Sequence, residues 1–73
     1  MVIICYEPRF QKEVSKVKDE LLRLKVKKHI LKIRDNPEIG KPMRYARRDT
    51  REVYIPPFRL SYIYIKQENK IVF

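Results

Sequence analysis

The C-terminal third of the chain, REVYIPPFRLSYIYIKQENKIVF from residue 51 to 73, reads as consecutive β-strands. Residues 52–55 and 58–65 have the β-branched and aromatic content that favours strands. Pro56-Pro57 lies between them and has no N–H group to donate to a ladder, so we expect a turn or bulge there. The letters KQEN predict another turn, after which residues 70–73 begin a third strand. A sheet of this kind must cover one face with other elements.

The N-terminal half predicts one more strand and two helices. Residues 2–6 are apolar and partly β-branched, as in a strand, and Pro8 stands where the first turn of a helix tolerates proline. Asp19 can cap a second helix, which ends at Asn36-Pro37 because the residue before a proline is disfavoured in helical geometry. The apolar stripes are Phe10, Val14 and Val17 on the first helix, and Leu22, Val26, Ile33 and either His29 or Ile30 on the second, widened by Leu21, Leu24 and Leu31.

The predicted order of elements is therefore β-α-α-β-β-β. We expect an α+β domain in which two antiparallel helices pack on one face of an antiparallel sheet. Its length of 73 residues allows a single domain, which buries only about 60–65% of the surface exposed on unfolding.

The chain is strongly basic. Eighteen Lys and Arg residues against nine Asp and Glu residues give a formal net charge of +9 at pH 7. This excess predicts an anionic partner: a nucleic acid, an acidic protein segment or a membrane surface. The chain has no apolar run of about 18 residues to span a bilayer. The start MVIICYE is too short and too soon followed by charge for a signal peptide, so we expect a cytoplasmic protein.

The sequence gives no support for a metal or another cofactor. The single Cys5 lies among apolar residues and is interpreted as a small hydrophobic residue of a strand. One cysteine and one histidine do not form a zinc ligand set. His29 is interpreted as a residue at the boundary of the core, and not as a general base.

The strand FRLSYIYI carries the first candidate for chemistry. Its alternation places Phe58, Leu60, Tyr62 and Tyr64 on one face and Arg59, Ser61, Ile63 and Ile65 on the other. Arg59 is either a solvated surface charge or a phosphate ligand, because a guanidinium on a rigid strand is well suited to bind phosphate.

A second candidate is the densest cluster of cationic and aromatic side chains, which comprises Arg44, Tyr45, Arg47, Arg48, Arg51 and Tyr54. Guanidinium groups bind phosphates and tyrosine rings stack on unpaired bases, so the cluster fits a surface for single-stranded RNA. The alternative is a solvated loop that keeps the protein soluble.

Two segments carry a resemblance to a known family. A small basic β-α-α-β-β-β chain with NPEIGKPM after its second helix, followed by an FRLSYIY strand, resembles the RelE/ParE superfamily of type II toxin-antitoxin toxins. The resemblance covers nearly all of residues 1–73 and implies a fold similar to compact microbial ribonucleases. It also implies that the last strand and a C-terminal tail continue after Phe73 and carry part of the site.

The resemblance implies a function and residues that perform it. RNA-cleaving members act on messenger RNA in the ribosomal A site without a metal, and an acidic or amphipathic antitoxin silences them. Arg59 stands where the family's strand arginine contacts the scissile phosphate, and Arg51 keeps a cationic position of the preceding strand. Arg59 and Arg51 are thus the expected catalytic residues, with Arg44, Tyr45, Arg47, Arg48 and Tyr54 binding RNA.

Two other functions fit the same fold. The ParE branch poisons DNA gyrase and cuts nothing, and a catalytically inactive toxin-like module would only bind RNA or an antitoxin. The basic strands favour the ribonuclease, whereas Glu52 and the absent tail favour the inactive module.

Overall fold

A computed structural model describes residues 2–43 and 49–73 of the chain. The elements are β1 (Ile3–Cys5), α1 (Pro8–Ser15), α2 (Glu20–Asp35), β2 (Lys41–Pro42), β3 (Thr50–Ile55), β4 (Phe58–Ile65), a 3₁₀ turn (Lys66–Glu68) and β5 (Lys70–Val72). The five strands form one sheet in the order β1-β5-β4-β3-β2. No helix within the described ranges combines the length and apolarity needed to cross a bilayer.

The α+β class and the order of helices and strands are confirmed, but the sheet is mixed. Strand β1 pairs parallel to β5, with Ile4 opposite Ile71, so the expectation of a wholly antiparallel sheet is wrong for this pair. The first and last strands of the chain are neighbours here, a pairing that local patterns do not specify. The two-residue strand β2 was also not expected, because Lys41–Pro42 lies in a segment that reads as irregular.

The start of α1 and both ends of α2 lie where local signals predict, whereas α1 ends at Ser15, so the expectation that Val17 belongs to this helix is wrong. Pro8 occupies the first turn of α1. The Asp19 carboxylate accepts hydrogen bonds from the backbone N–H groups of Leu21, at 3.0 Å, and Leu22, at 3.4 Å. These bonds satisfy two of the donors that the start of a helix leaves free. Asn36, the residue before Pro37, ends α2 in a non-helical conformation.

The core lies between the helices and one face of the sheet. Its buried members are Ile33, Ile55, Leu60, Tyr62, Ile71 and Phe73. The Phe73 ring lies at the centre of an aromatic cluster, with ring centroids 5.6–5.8 Å from those of Tyr6, Phe10 and Tyr62. Aromatic rings at this spacing attract one another beyond the effect of buried area alone.

Three leucines of α2 do not join the core. Leu21, Leu24 and Leu31 are 71%, 56% and 40% exposed, so the expectation that they widen the apolar stripe is wrong. An α-helix turns about 100° per residue, which places Leu24 half a turn away from the buried Ile33. The outward side of α2 therefore carries apolar side chains among its lysines.

The two faces of the sheet differ in what covers them. Leu60 and Tyr62 are buried on the face toward the helices, the helix face, which confirms the alternation predicted for β4. Residues directly opposite each other in an antiparallel pair share a face. Arg51, opposite Tyr62, therefore lies on the helix face, and Tyr54, opposite Arg59, lies on the other face, which we call the open face.

Candidate active site

The open face has an apolar half and a polar half. Strand register places Ile3, Cys5, Ile63, Ile65 and Val72 toward the β1–β5 side. Glu52, Tyr54, Arg59, Ser61 and Lys41 lie toward the β2–β3 side. The described strands place three basic residues on this face: Lys41 and Arg59 in the polar half, and Lys70 on β5 in the other half. Anionic ligands are therefore favoured at the β2–β3 side.

Arg59 is held between two neighbours on the polar half. Its Nη1 lies 3.4 Å from Oε1 of Glu52, and its Cζ lies 5.8 Å from the centroid of the Tyr54 ring. The Arg59 side chain is 68% exposed while that of Glu52 is 24% exposed. The carboxylate and the ring face thus orient a guanidinium that remains open to a ligand.

The β3–β4 hairpin produces this arrangement. Pro56-Pro57 forms its two-residue loop, so Ile55 pairs with Phe58, and Tyr54 pairs with Arg59. Glu52 pairs with Ser61 and is thereby a diagonal neighbour of Arg59, within reach of a long side chain. The two-residue loop thus sets the register that brings the Glu52, Tyr54 and Arg59 side chains together on two paired strands.

A cleft of about 520 Å³ extends from Arg59 around the outer edge of β3 to the side of α2. It is lined by His29, Lys32, Ile33, Ile39, Lys41, Glu52, Val53, Tyr54 and Arg59. Cleft volumes of this order are typical of small-ligand sites. We call this region the edge cleft.

The structure does not bring Arg51 to the side of Arg59. Arg51 lies on the helix face, where its Nη1 donates to the backbone carbonyls of Glu38, at 3.0 Å, and Gly40, at 2.8 Å. Its guanidinium thus joins β3 to the loop after α2.

Tyr62 holds the same loop from β4. Its hydroxyl donates to the Pro37 carbonyl at 2.8 Å and accepts from the Gly40 N–H at 2.9 Å. Burial raises the pKa of the Tyr62 phenol above 10.0, although the Gly40 N–H and the Arg51 charge both act to lower it. A Cβ atom at Gly40 would lie 2.6 Å from the Tyr62 hydroxyl oxygen, so only glycine fits. The NPEIG part of the segment that resembles the toxin family thus has a structural role.

The remaining candidates divide into two groups. Tyr54 lies beside Arg59 as part of the open face. Arg44, Tyr45, Arg47 and Arg48 lie outside the described residues.

Three residues near Arg59 were not assigned a role in the site from the sequence. Glu52 pairs with Arg59, and Lys32 and Lys41 line the edge cleft. The two-residue loop would have indicated Glu52, because counting back from Pro56-Pro57 places it on the same face as Arg59.

Comparison with known proteins identifies the fold. Neither the scan against protein-family models nor the search of curated protein sequences gives a match. Among solved structures, a chain of the intact E. coli RelBE toxin-antitoxin complex matches with a TM-score of 0.82 and 19% identity, over 99% of this chain and 89% of that one. The isolated E. coli RelE toxin matches with the same TM-score and identity, over 99% and 78%. A mutant E. coli RelE in the free state matches with a TM-score of 0.77 and 19% identity, over 97% and 76%.

The likeness covers nearly the whole chain, and the described helices and sheet account for it. The resemblance found in NPEIGKPM and FRLSYIY is therefore confirmed for the fold. This protein has the fold of the E. coli RelE toxin.

Proposed function

We propose that this protein is the toxin of a toxin-antitoxin module and acts in the cytoplasm as a metal-independent endoribonuclease on ribosome-bound messenger RNA. The position of Arg59 carries the proposal: an exposed guanidinium on the open face, held by Glu52 and Tyr54. The RelE fold supports it, as does the formal net charge of +9.

The proposed reaction is attack of the RNA's own 2′-hydroxyl on the adjacent phosphorus. The Glu52 carboxylate takes the 2′-hydroxyl proton as the O2′–P bond forms. The P–O5′ bond then breaks, the 5′-oxygen takes a proton from water, and a 2′,3′-cyclic phosphate remains. The hydroxide formed from that water takes the proton from Glu52 and restores the carboxylate. Arg59 donates to the phosphate oxygens on which negative charge develops. The exposed Tyr54 ring stacks on a base next to the scissile bond.

Substitution of Arg59 tests this function directly. Losing one preorganised donor to a developing oxyanion typically costs about 10²–10³ in rate. We expect Arg59→Ala to lower single-turnover cleavage of ribosome-bound messenger RNA by about that factor. Arg59→Lys should recover only part of it, because lysine presents a point charge instead of a planar pair of donors.

The matched control is Lys27→Ala, which removes one positive charge from an exposed position of α2 that does not line the edge cleft. It should leave the cleavage rate unchanged. Equal rates for Arg59→Ala and the parent protein, or equal losses in Arg59→Ala and Lys27→Ala, would refute a catalytic role for Arg59.

The proposed partner is an acidic or amphipathic antitoxin, by analogy with the E. coli RelBE complex and in keeping with the charge of +9. A protein that binds only the folded state stabilises it by mass action. Co-expression with the protein encoded by the neighbouring gene should therefore yield a complex with a raised melting temperature. An unchanged melting temperature and no complex would argue against the toxin-antitoxin role.

The ion pair between Arg59 and Glu52 also favours a second candidate function, a non-catalytic toxin-like module that binds RNA or an antitoxin. In such a module the carboxylate would only neutralise the arginine. Substitution of Glu52 by glutamine separates the two functions, because it slows cleavage only if the carboxylate takes part in the reaction.

A further inference from the structure

We infer that the edge cleft contains a second RNA subsite, formed by His29 and Lys32 of α2 and Lys41 of β2, for the nucleotide next to the one at Arg59. The inference rests on the proposed function only for the class of ligand, which is single-stranded RNA. It assigns a role to the wall of α2, which the proposed cleavage step does not use.

The shape of the sheet edge makes the two sites continuous. Strand β2 has only two residues, which pair with Arg51 and Glu52, so residues 53–55 of β3 have no strand neighbour on that side within the described parts of the chain. The edge cleft opens beside these residues and is lined by Arg59 and by His29. An extended nucleotide strand bound at Arg59 can therefore follow the edge of β3 toward α2.

The charges in the cleft favour phosphate. Lys32, Lys41 and Arg59 contribute three positive charges, and Glu52 is the single carboxylate among the lining residues. That carboxylate pairs with Arg59. Among the ion pairs of the described residues, none includes Lys32 or Lys41. Two cations on different elements thus face one cleft without a carboxylate to balance them, which is the arrangement that a phosphate group satisfies.

His29 adds a directional group to the wall. Its Nδ1 lies 2.7 Å from the Lys25 carbonyl oxygen. A carbonyl can only accept, so Nδ1 carries the proton and Nε2 is left for a ligand. Neutral Nε2 accepts a hydrogen bond from a 2′-hydroxyl or a base amine, and a protonated ring donates to phosphate.

The apolar part of the cleft favours a nucleotide over an acidic peptide. Ile39 is 50% exposed and Tyr54 is 62% exposed, and both line the cleft beside the cations. A nucleotide carries a flat base next to its phosphate and so uses both kinds of surface, since an aromatic side chain stacks on any base. An acidic side chain uses only the charges.

The experiment follows the one histidine of the chain, whose ring gives a single set of resonances in a proton NMR spectrum. The probe is a short single-stranded RNA that is 2′-O-methylated throughout, so that it binds but does not react. We expect the His29 and Tyr54 ring signals to shift saturably with the same affinity. Lys32→Ala and Lys41→Ala should each reduce the slope of log affinity against log salt by about 0.7, the value for one phosphate contact on a single strand.

Lys27→Ala is the matched control on α2 and should leave that slope unchanged. The subsite is refuted if the RNA shifts Tyr54 and leaves His29 unmoved, or if a short poly-glutamate peptide shifts His29 and the RNA does not. Arg59→Ala separates this inference from the proposed function, since it should lower cleavage about 10²–10³-fold while the His29 response remains. A His29 response in a parent protein that never cleaves messenger RNA would support the subsite and refute the nuclease.

Discussion

Arg51 and Arg59 lie on neighbouring strands and point to opposite faces of the sheet. Arg51 is opposite the buried Tyr62 and bonds two backbone carbonyls of the loop after α2. Arg59 is opposite the exposed Tyr54 and pairs with Glu52. The two arginines that the sequence suggests for catalysis therefore have separable effects on stability and on activity.

The first prediction concerns stability. Hydrogen bonds that involve a charged group contribute about 1.5–3 kcal/mol. We expect Arg51→Ala to lower the free energy of unfolding by about that amount, measured by urea denaturation. Arg59→Ala should change it by less than about 0.5 kcal/mol, because the residue is exposed. Equal effects of the two substitutions on stability would contradict the assignment of Arg51 to the loop.

The second prediction concerns Gly40. An added Cβ would lie 2.6 Å from the Tyr62 hydroxyl oxygen and 3.0 Å from the Glu52 backbone oxygen. Contacts this short force the loop away from the sheet, and overpacking typically costs about 1–3 kcal/mol. Gly40→Ala should therefore lower the urea midpoint. The loss should be only partly reduced in a Tyr62→Phe background, which removes the hydroxyl but leaves the ring carbon Cε1 at 2.9 Å from the added Cβ. A neutral Gly40→Ala would show that the loop is not held closely against Tyr62.

The third prediction concerns alkaline pH. Burial raises the pKa of Tyr62 above 10.0, so the folded protein holds this phenol proton more tightly than the unfolded chain does. The resulting stabilisation is fully present below pH 10.0 and is lost as the pH rises through the raised pKa. The stability difference between the parent protein and Tyr62→Phe should be constant between about pH 7 and 9 and shrink above pH 10.0. If the stability difference between the two proteins stays constant above pH 10.0 as well, the raised pKa of Tyr62 is refuted.

Much of the fold follows from local signals. Asp19 before an apolar run starts α2, and Asn36-Pro37 ends it. The parallel pairing of β1 with β5 joins the two ends of the chain, and no local pattern contains that information. The outward position of Leu24 was predictable from helix geometry, because Leu24 lies half a turn away from the buried Ile33. The expectation was wrong because it took every apolar residue of α2 as part of one stripe.

The part of the site around Arg59 could be predicted from the sequence, and the wall of the edge cleft could not. The residue pattern of β4 made Arg59 a candidate, and the resemblance favoured a functional role for it. The hairpin register then brings Glu52 and Tyr54 beside it. The wall of the edge cleft was not predictable, because His29 and Lys41 approach each other only when α2 packs beside the edge of the sheet. His29 is half-buried, as the sequence predicts.

The fourth prediction compares two phenylalanines. Phe73 is buried and contacts three aromatic rings, whereas Phe58 is 54% exposed beside the hairpin loop. Truncation of a buried phenylalanine to alanine typically costs about 3–5 kcal/mol, part of it from the cavity left behind. Phe73→Ala should reach this range in urea denaturation, and Phe58→Ala should cost less than half as much. Similar losses would place Phe58 in the core and contradict the described packing.

The last prediction decides whether Glu52 is a base or only the partner of Arg59. Glu52→Gln removes the proton acceptor and the negative charge, while the amide oxygen can still accept from the Arg59 guanidinium. If Glu52 takes the 2′-hydroxyl proton, single-turnover cleavage should fall about 10²–10⁴-fold while RNA binds as well or better. The control is Glu38→Gln, which changes an exposed carboxylate that lies 3.8 Å from Lys66. If cleavage is unchanged or faster in Glu52→Gln, the carboxylate only neutralises Arg59, and this RelE-like domain does not use it as a base.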